Sequence, residues 1–175
     1  MNIYGEKVIL RAIEEQDAVL LLEMINDPQT ERMLGGSSFP VSAAEQRKWI
    51  AAQPSSPNVL RCIIVPADAA DNGGVGTVIL SDIDRKNGVA QIHIKLAQSG
   101  RGKGYGSDAL RALTEYAFDE LRLNCVYAEI LTHNDASKGL FEKCGYTYEG
   151  ELRQRVFKGG AYRNVFVYSR LKDDR

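Results

Sequence analysis

Four of the seven residues from Gly100 to Gly106 are glycine, and the hydrophobic pattern changes across them. Before this stretch the chain reads as strands. Val59 to Val65, Gly76 to Ile83 and Val89 to Leu96 are short and rich in β-branched residues. The last two are linked through Asn87-Gly88, a hairpin signal that makes them antiparallel neighbours. After the glycines, Leu110, Leu113, Ala117 and Leu121 recur at helical spacing, which predicts a long amphipathic helix over Gly104 to Leu121. Cys125 to Leu131 is apolar and strand-like again. Strand, helix, strand in that order implies a parallel crossover. The chain is thus held to an α/β fold: a mixed, mostly antiparallel central sheet with flanking helices.

The remaining elements fit that frame. Lys7 to Ile13 is an opening strand, and Glu14 to Asn26 a helix with Ala18, Leu21, Leu22 and Ile25 on one face, ended by Asp27-Pro28. A second helix starts at Ser42, where Ser42 and Glu45 have capping-box spacing and Trp49 and Ile50 follow as apolar anchors. Asn134 to Cys144 reads as a helix with Ala136, Leu140 and Cys144 on one face and Gly145 as its stop. Glu149 to Leu171 reads as two strands joined near Gly159-Gly160. The stretches 53–58 and 66–74 are loop-like but too short for domain linkers, and no internal repeat is visible. We expect one domain spanning 1–175, a size that buries enough surface without disulfide or metal.

Charge and special residues exclude several classes. The 22 basic and 23 acidic side chains leave a net charge of −1, unlike a strongly basic nucleic-acid binder. Apolar runs fall far short of the roughly 20 residues of a membrane helix. The N-terminus has no signal-peptide core, so a soluble, cytoplasmic protein is expected, with neither nucleic acid nor membrane as partner. Three widely spaced cysteines (Cys62, Cys125, Cys144) and two histidines (His93, His133) form no metal-ligand pattern. Reduced, partly buried thiols and no metal site are the expectation.

Glycines between a strand and a helix let the backbone turn tightly, and the helix start favours an anion such as a phosphate. Arg101 and Lys103 add positive charge there. The known phosphate loops can be tested by spacing. No Gly-Lys is followed by Ser or Thr, so this is no Walker A loop. In G-x-G-x-x-G the last glycine would fall on Tyr105, Ser107 or Ala109. Gly104, Gly106 and Ala109 meet the relaxed form ending in alanine, but the preceding antiparallel strands are the wrong context. Kinase catalytic signatures are absent. Arg101-x-x-Gly104-x-Gly106 remains.

That pattern, between a strand and a long helix, resembles the acetyl-CoA loop of the GNAT superfamily of N-acetyltransferases. Asn134-x-x-Ser137-x-x-Leu140-Phe141-Glu142-Lys143-x-Gly145-Tyr146 resembles the family's second marker. Leu10-Arg11-Ala12, Asn26-Asp27-Pro28 and Glu149-Gly150-x-Leu152-Arg153 are similar to the branch that holds ribosomal-protein N-terminal and polyamine acetyltransferases. The resemblance covers the whole chain in element order. It implies a sheet whose central strands splay, acetyl-CoA as acetyl donor, and direct attack of an amine on the thioester through a tetrahedral intermediate. The backbone of Ile94, Lys95 and Leu96 would meet the pantetheine. Arg101, Gly102, Lys103, Gly104, Tyr105, Gly106 and Ser107 would hold the pyrophosphate, mainly by main-chain N–H groups. Asn134, Ser137, Phe141 and Lys143 complete the cofactor set.

The catalytic positions depart from the family's pattern. Its strand glutamate is Gln91 here, and its helix tyrosine is Phe141. Neither can exchange a proton. By resemblance Glu129 is the candidate base and Ser137 the group near the departing sulfur. An exposed strand carboxylate accounts for Glu129 equally well, and a small packing residue accounts for Ser137 somewhat better. His93 is a substitute base, although a packing or surface role fits a lone strand histidine better. Tyr105 and Tyr146 match aromatic packing positions. The acceptor would lie against Met24 to Gly36 and Phe157 to Asn164. A protein N-terminus, a polyamine or an amino sugar all remain open as the amine. The resemblance further implies a homodimer. The alternative is a non-catalytic acetyl-CoA-binding or sensing module.

Overall fold

One eight-stranded sheet organises the chain, in the order β1-β2-β3-β4-β5-β6-β8-β7. The strands are β1 (Ile3–Tyr4), β2 (Val8–Arg11), β3 (Leu60–Pro66), β4 (Gly76–Asp84), β5 (Val89–Leu96), β6 (Cys125–Leu131), β7 (Thr147–Lys158) and β8 (Ala161–Leu171). This computed structural model describes residues 1–36, 39–53, 56–69 and 73–174, so parts of the loops 53–58 and 66–74 lie outside the described residues. Neighbouring strands are antiparallel except β5 and β6, which run parallel across the crossover.

Period-two alternation splits the core between the two faces of the sheet. Cys62 and Ile64 of β3 join Val78, Leu80 and Ile92 beneath helix α4 (Tyr105–Asp119). Ile63 and Val65 point the other way, toward Leu21 and Met24 of α1 (Ala18–Asn26) and Ile50 of α3 (Ala43–Ala51). From α4, Leu110, Leu113, Ala117 and Phe118 are fully buried. Leu121 lies beyond the helix end, half-buried. Among the described residues, no helix is long and apolar enough to cross a membrane.

Several boundaries carry the expected chemistry. The Ser42 hydroxyl accepts from Glu45 N–H and the Glu45 carboxylate accepts from Ser42 N–H, so the capping box forms. Gly159 and Gly160 turn the β7–β8 hairpin with φ of 59° and 77°, left-handed values that suit two adjacent glycines. Asp27 does more than end α1. It also caps a short helix that the sequence pattern did not show, α2 (Pro28–Arg32), accepting from Gln29 and Thr30 N–H. Pro28 then sits at the first helical position, where its missing N–H costs nothing.

Two helices face other ways than their apolar spacing suggests. Trp49 is no core anchor. It is 41% exposed, with the Arg61 guanidinium over its ring, while Gln46 is the buried residue of α3. In α5 (Asp135–Lys143) the apolar stripe is rotated: Phe141 is the buried helix residue, Leu140 is half-buried and Ala136 is exposed. The reason is that Ala136 and Leu140 border an open cleft rather than the sheet.

Candidate active site

β5 and β6 pair only from Val89↔Cys125 to Gln91↔Tyr127. Beyond that point β6 keeps its full ladder to β8, and the two parallel strands part. Two cavities of about 500 Å³ each open at the parting. Leu96, the glycine turn, Leu140 and Lys143 line the first, with Gln29 and Thr30 of α2 opposite. Gln91, His93 and Glu129 line the second, with Phe141, Val156 and Val165. Ile94, Lys95, Asn134 and Ser137 border both, so the cavities meet there.

The first cavity is shaped by backbone. Gly102 and Gly104 have φ of 73° and 84°. A Cβ on Gly102 would meet nothing within 4 Å, so the left-handed backbone, not crowding, calls for glycine there. The first N–H groups of α4 have no helical partner and open toward this turn. Arg101, Gly102, Gly104, Gly106 and Ser107 border the cavity. Lys103 is exposed and Tyr105 packs half-buried against the core, and neither lines it. Phe141 lines the second cavity instead, its ring edge-on to Tyr146 at 4.9 Å. Arg101 spends its guanidinium on protein, donating to Thr30 Oγ1 at 2.8 Å and to the Leu96 carbonyl at 3.1 Å. Asn134 accepts from Ser137 N–H and donates to the Met33 carbonyl, which joins the start of α5 to the end of α2.

One cation escaped the sequence reading. Asp108, in the first turn of α4, accepts the N–H groups of Glu6, Lys7 and Val8 at 3.1, 2.7 and 3.0 Å. This clip holds the turn before β2 against the helix start. The Lys7 ammonium then lies 3.3 Å from where a Cβ of Gly104 would be. Nothing in local spacing connects residue 7 to residue 104.

The second cavity is shaped by side chains. Glu129 is exposed at its mouth. His93 Nε2 lies 2.8 Å from Ser81 Oγ, and Ser81 Oγ donates to Asp82 at 3.0 Å. Protein crowding its flanks lowers the His93 pKa below the imidazole value of 6.5, while the charges of Asp82 and Glu129 pull it back upward. Lys95, at the junction, donates to Glu31 of α2 at 2.7 Å. The other Glu31 oxygen is buried without a hydrogen bond, 4.0 Å from Lys158 at the β7–β8 hairpin. Alternation along β5 would have put Gln91, His93 and Lys95 on one face. The partners from α2 and β7 had no local signal.

Residues 7–147 match the Acetyltransferase (GNAT) domain family. The chain belongs to the GNAT acetyltransferase family. Among curated GNAT relatives, the SPbeta prophage-derived uncharacterized N-acetyltransferase YokL of Bacillus subtilis is 31% identical, over 97% of this chain and 93% of its own length. Two solved structures share the fold. Spermidine N-acetyltransferase from Vibrio cholerae, in complex with CoA and spermine, superposes with a TM-score of 0.87 at 22% identity, covering 97% of this chain and 98% of that one. RimL, a ribosomal L7/L12 alpha-N-protein acetyltransferase in complex with coenzyme A, gives 0.87 at 22% over the whole of both chains.

Membership in the GNAT family makes this an acyltransferase, and the first cavity fits an acetyl-CoA donor. It offers a glycine turn, a helix start and the cation of Lys143. Thiol chemistry is disfavoured: burial pushes Cys62 up to about 11 and raises Cys144 as well. Among the described residues no cluster of His, Cys, Asp and Glu could hold a metal.

Proposed function

We propose that this chain, as one acetyltransferase domain over 1–175, moves the acetyl group of acetyl-CoA directly onto a primary amine. The observation that carries this reading is the meeting of two cavities at Ile94, Lys95, Asn134 and Ser137. Donor and acceptor reach one point from opposite sides, as direct transfer requires. Main-chain N–H groups from Gly102 to Ser107 receive the pyrophosphate. The stretch of β5 from Ile94 to Leu96, which has parted from β6, offers its backbone to the pantetheine. Bound there, acetyl-CoA supplies the activated thioester carbon.

The chain's own residues do the rest. Ser137, at the junction, donates toward the departing sulfur. Glu129, in the second cavity, takes up the amine's proton through a relay. A protein N-terminus or a small primary amine is the acceptor. Among the described residues Glu129 is the carboxylate that lines the second cavity, a setting suited to an ammonium. Release of CoA from acetyl-CoA is the test, across a panel of N-terminal peptides, spermidine and amino sugars. Turnover with at least one amine is expected. Tight acetyl-CoA binding with no turnover over the panel would leave a binding module instead.

A further inference from the structure

We propose that His93 is the group that takes the proton from the acceptor amine, held in the working tautomer by a relay through Ser81 to Asp82. This rests on the acetyl-transfer reading and assigns the first proton acceptor in that same cavity.

Register places the residues. Gln91 pairs with Tyr127 where β5 and β6 are still parallel neighbours. Two residues further on each strand stand His93 and Glu129, on the face that their neighbours share. The strands have parted there, so the two side chains border open space rather than a ladder. On the other side, β4 pairs with β5 up to Ser81↔Gln91 and then slips register before Asp84↔Val89. Inside that bulge Asp82 has φ of 50°. A non-glycine residue in the left-handed region is strained, and strain of this kind concentrates at functional sites. Here the bulge sets the Asp82 carboxylate on the Ser81 hydroxyl.

Hydrogen-bond counting fixes the tautomer. The Ser81 hydroxyl has one proton, and the acceptor-only Asp82 carboxylate takes it at 3.0 Å. Toward His93 at 2.8 Å, Ser81 Oγ can then only accept. The imidazole proton therefore sits on Nε2. Nδ1 keeps its lone pair and has no partner among the described residues. The charged and titratable groups around the ring are Asp82 from β4, Glu129 and Tyr127 from β6, and Lys95 further along β5. The two carboxylates stabilise the imidazolium once it forms. Crowding by protein lowers the His93 pKa, which favours the neutral form that can accept.

The incoming ammonium gives one proton to Nδ1, which passes it on by way of Glu129 to solvent. The amine nitrogen bonds to the acetyl carbon, and the C–S bond breaks with its electron pair on sulfur. The nitrogen's second proton leaves on that sulfur as the CoA thiol.

Two measurements on the full chain test this. Nitrogen-15 shifts of the histidine rings report the tautomer without any reaction, and the His93→Gln variant assigns the two rings, His93 and His133. A neutral His93 protonated on Nε2 is expected, becoming a mixture in Ser81→Ala. A ring protonated on Nδ1 overturns the relay. In assays, His93→Gln is expected to lower kcat/KM by about a hundredfold or more. Acetyl-CoA affinity by calorimetry should be unchanged. The acid limb of the wild-type pH profile, expected below 6.5, should disappear. Asp82→Asn should shift that limb further down, because it removes a charge that favours the imidazolium. A loss under about threefold, or a limb that survives, overturns His93 as the base. If the wild-type chain acetylates no amine, the functional reading fails, while the tautomer still decides the relay.

Discussion

The two cavities lie side by side and are built on different principles. The first is bounded by main chain: a left-handed turn at Gly102 and Gly104, the open start of α4, and the parted edge of β5. The second is bounded by side chains from β4, β5, β6, β7, β8 and α5 and by the loop after α2. A site made of backbone tolerates few residue types, because only glycine occupies the left-handed turn cheaply. A site made of side chains can be rewritten without moving the fold. The donor half of the molecule is therefore fixed by conformation, and the acceptor half by substitution.

The largest way to break that contrast is at the donor wall's foundation. Asp108 is buried and accepts three main-chain N–H groups. Asp108→Ala strands those donors and frees the turn that carries Lys7. A loss of about 3 kcal/mol in unfolding free energy is expected, from a cost of roughly 1 to 3 kcal/mol for each unsatisfied buried group, moderated by water at the two part-buried ones. Denaturant titration reads it, and acetyl-CoA affinity should fall in the same variant. Wild-type stability would mean that the glycine turn holds its shape unaided.

A smaller break falls within the turn. Gly104→Ala forces a Cβ into a backbone with φ of 84° and brings it within 3.3 Å of the Lys7 ammonium. About 1 to 2 kcal/mol of strain is expected, along with weaker acetyl-CoA binding, read by calorimetry. The amine KM should stay put. A change in amine KM alone would place the turn on the acceptor's side.

The same contrast explains what could be read from the residues. The turn, the Ser42 capping box, the β7–β8 hairpin and the crossover all mark the chain with residue types that satisfy a local backbone demand. They were legible, and so was the family likeness. Helix α2 was not, because Asp27-Pro28 reads equally as a stop and as a start. Lys7 was not, since a hydrogen-bond clip made a hundred residues later puts it at the turn. The Asp82–Ser81 contact depends on a bulge, and a bulge breaks the alternation that sequence reading relies on. Ala136 and Trp49 misled for a related reason. Apolar spacing marks a face without saying whether a core or a cleft covers it.

The smallest effect tests the acceptor wall alone. Glu31 joins α2 to β5 through Lys95 at 2.7 Å and comes within 4.0 Å of Lys158 on β7. It also borders a third cavity of about 550 Å³, which shares Lys95, Thr77 and Ile79 with the second. Glu31→Gln keeps an acceptor oxygen for Lys95 and removes the charge between two lysines. These side chains are only 15–16% exposed, but a hydrogen bond to Lys95 survives, so stability should fall by about 1 kcal/mol. Lys158 loses its electrostatic reason to stay near α2, so the hairpin loosens over the acceptor side. The amine KM is expected to change severalfold while acetyl-CoA affinity holds, since Glu31 does not line the first cavity. If acetyl-CoA affinity moves as far as the amine KM does, Lys95 couples the two walls, and donor and acceptor sites are one structure rather than two.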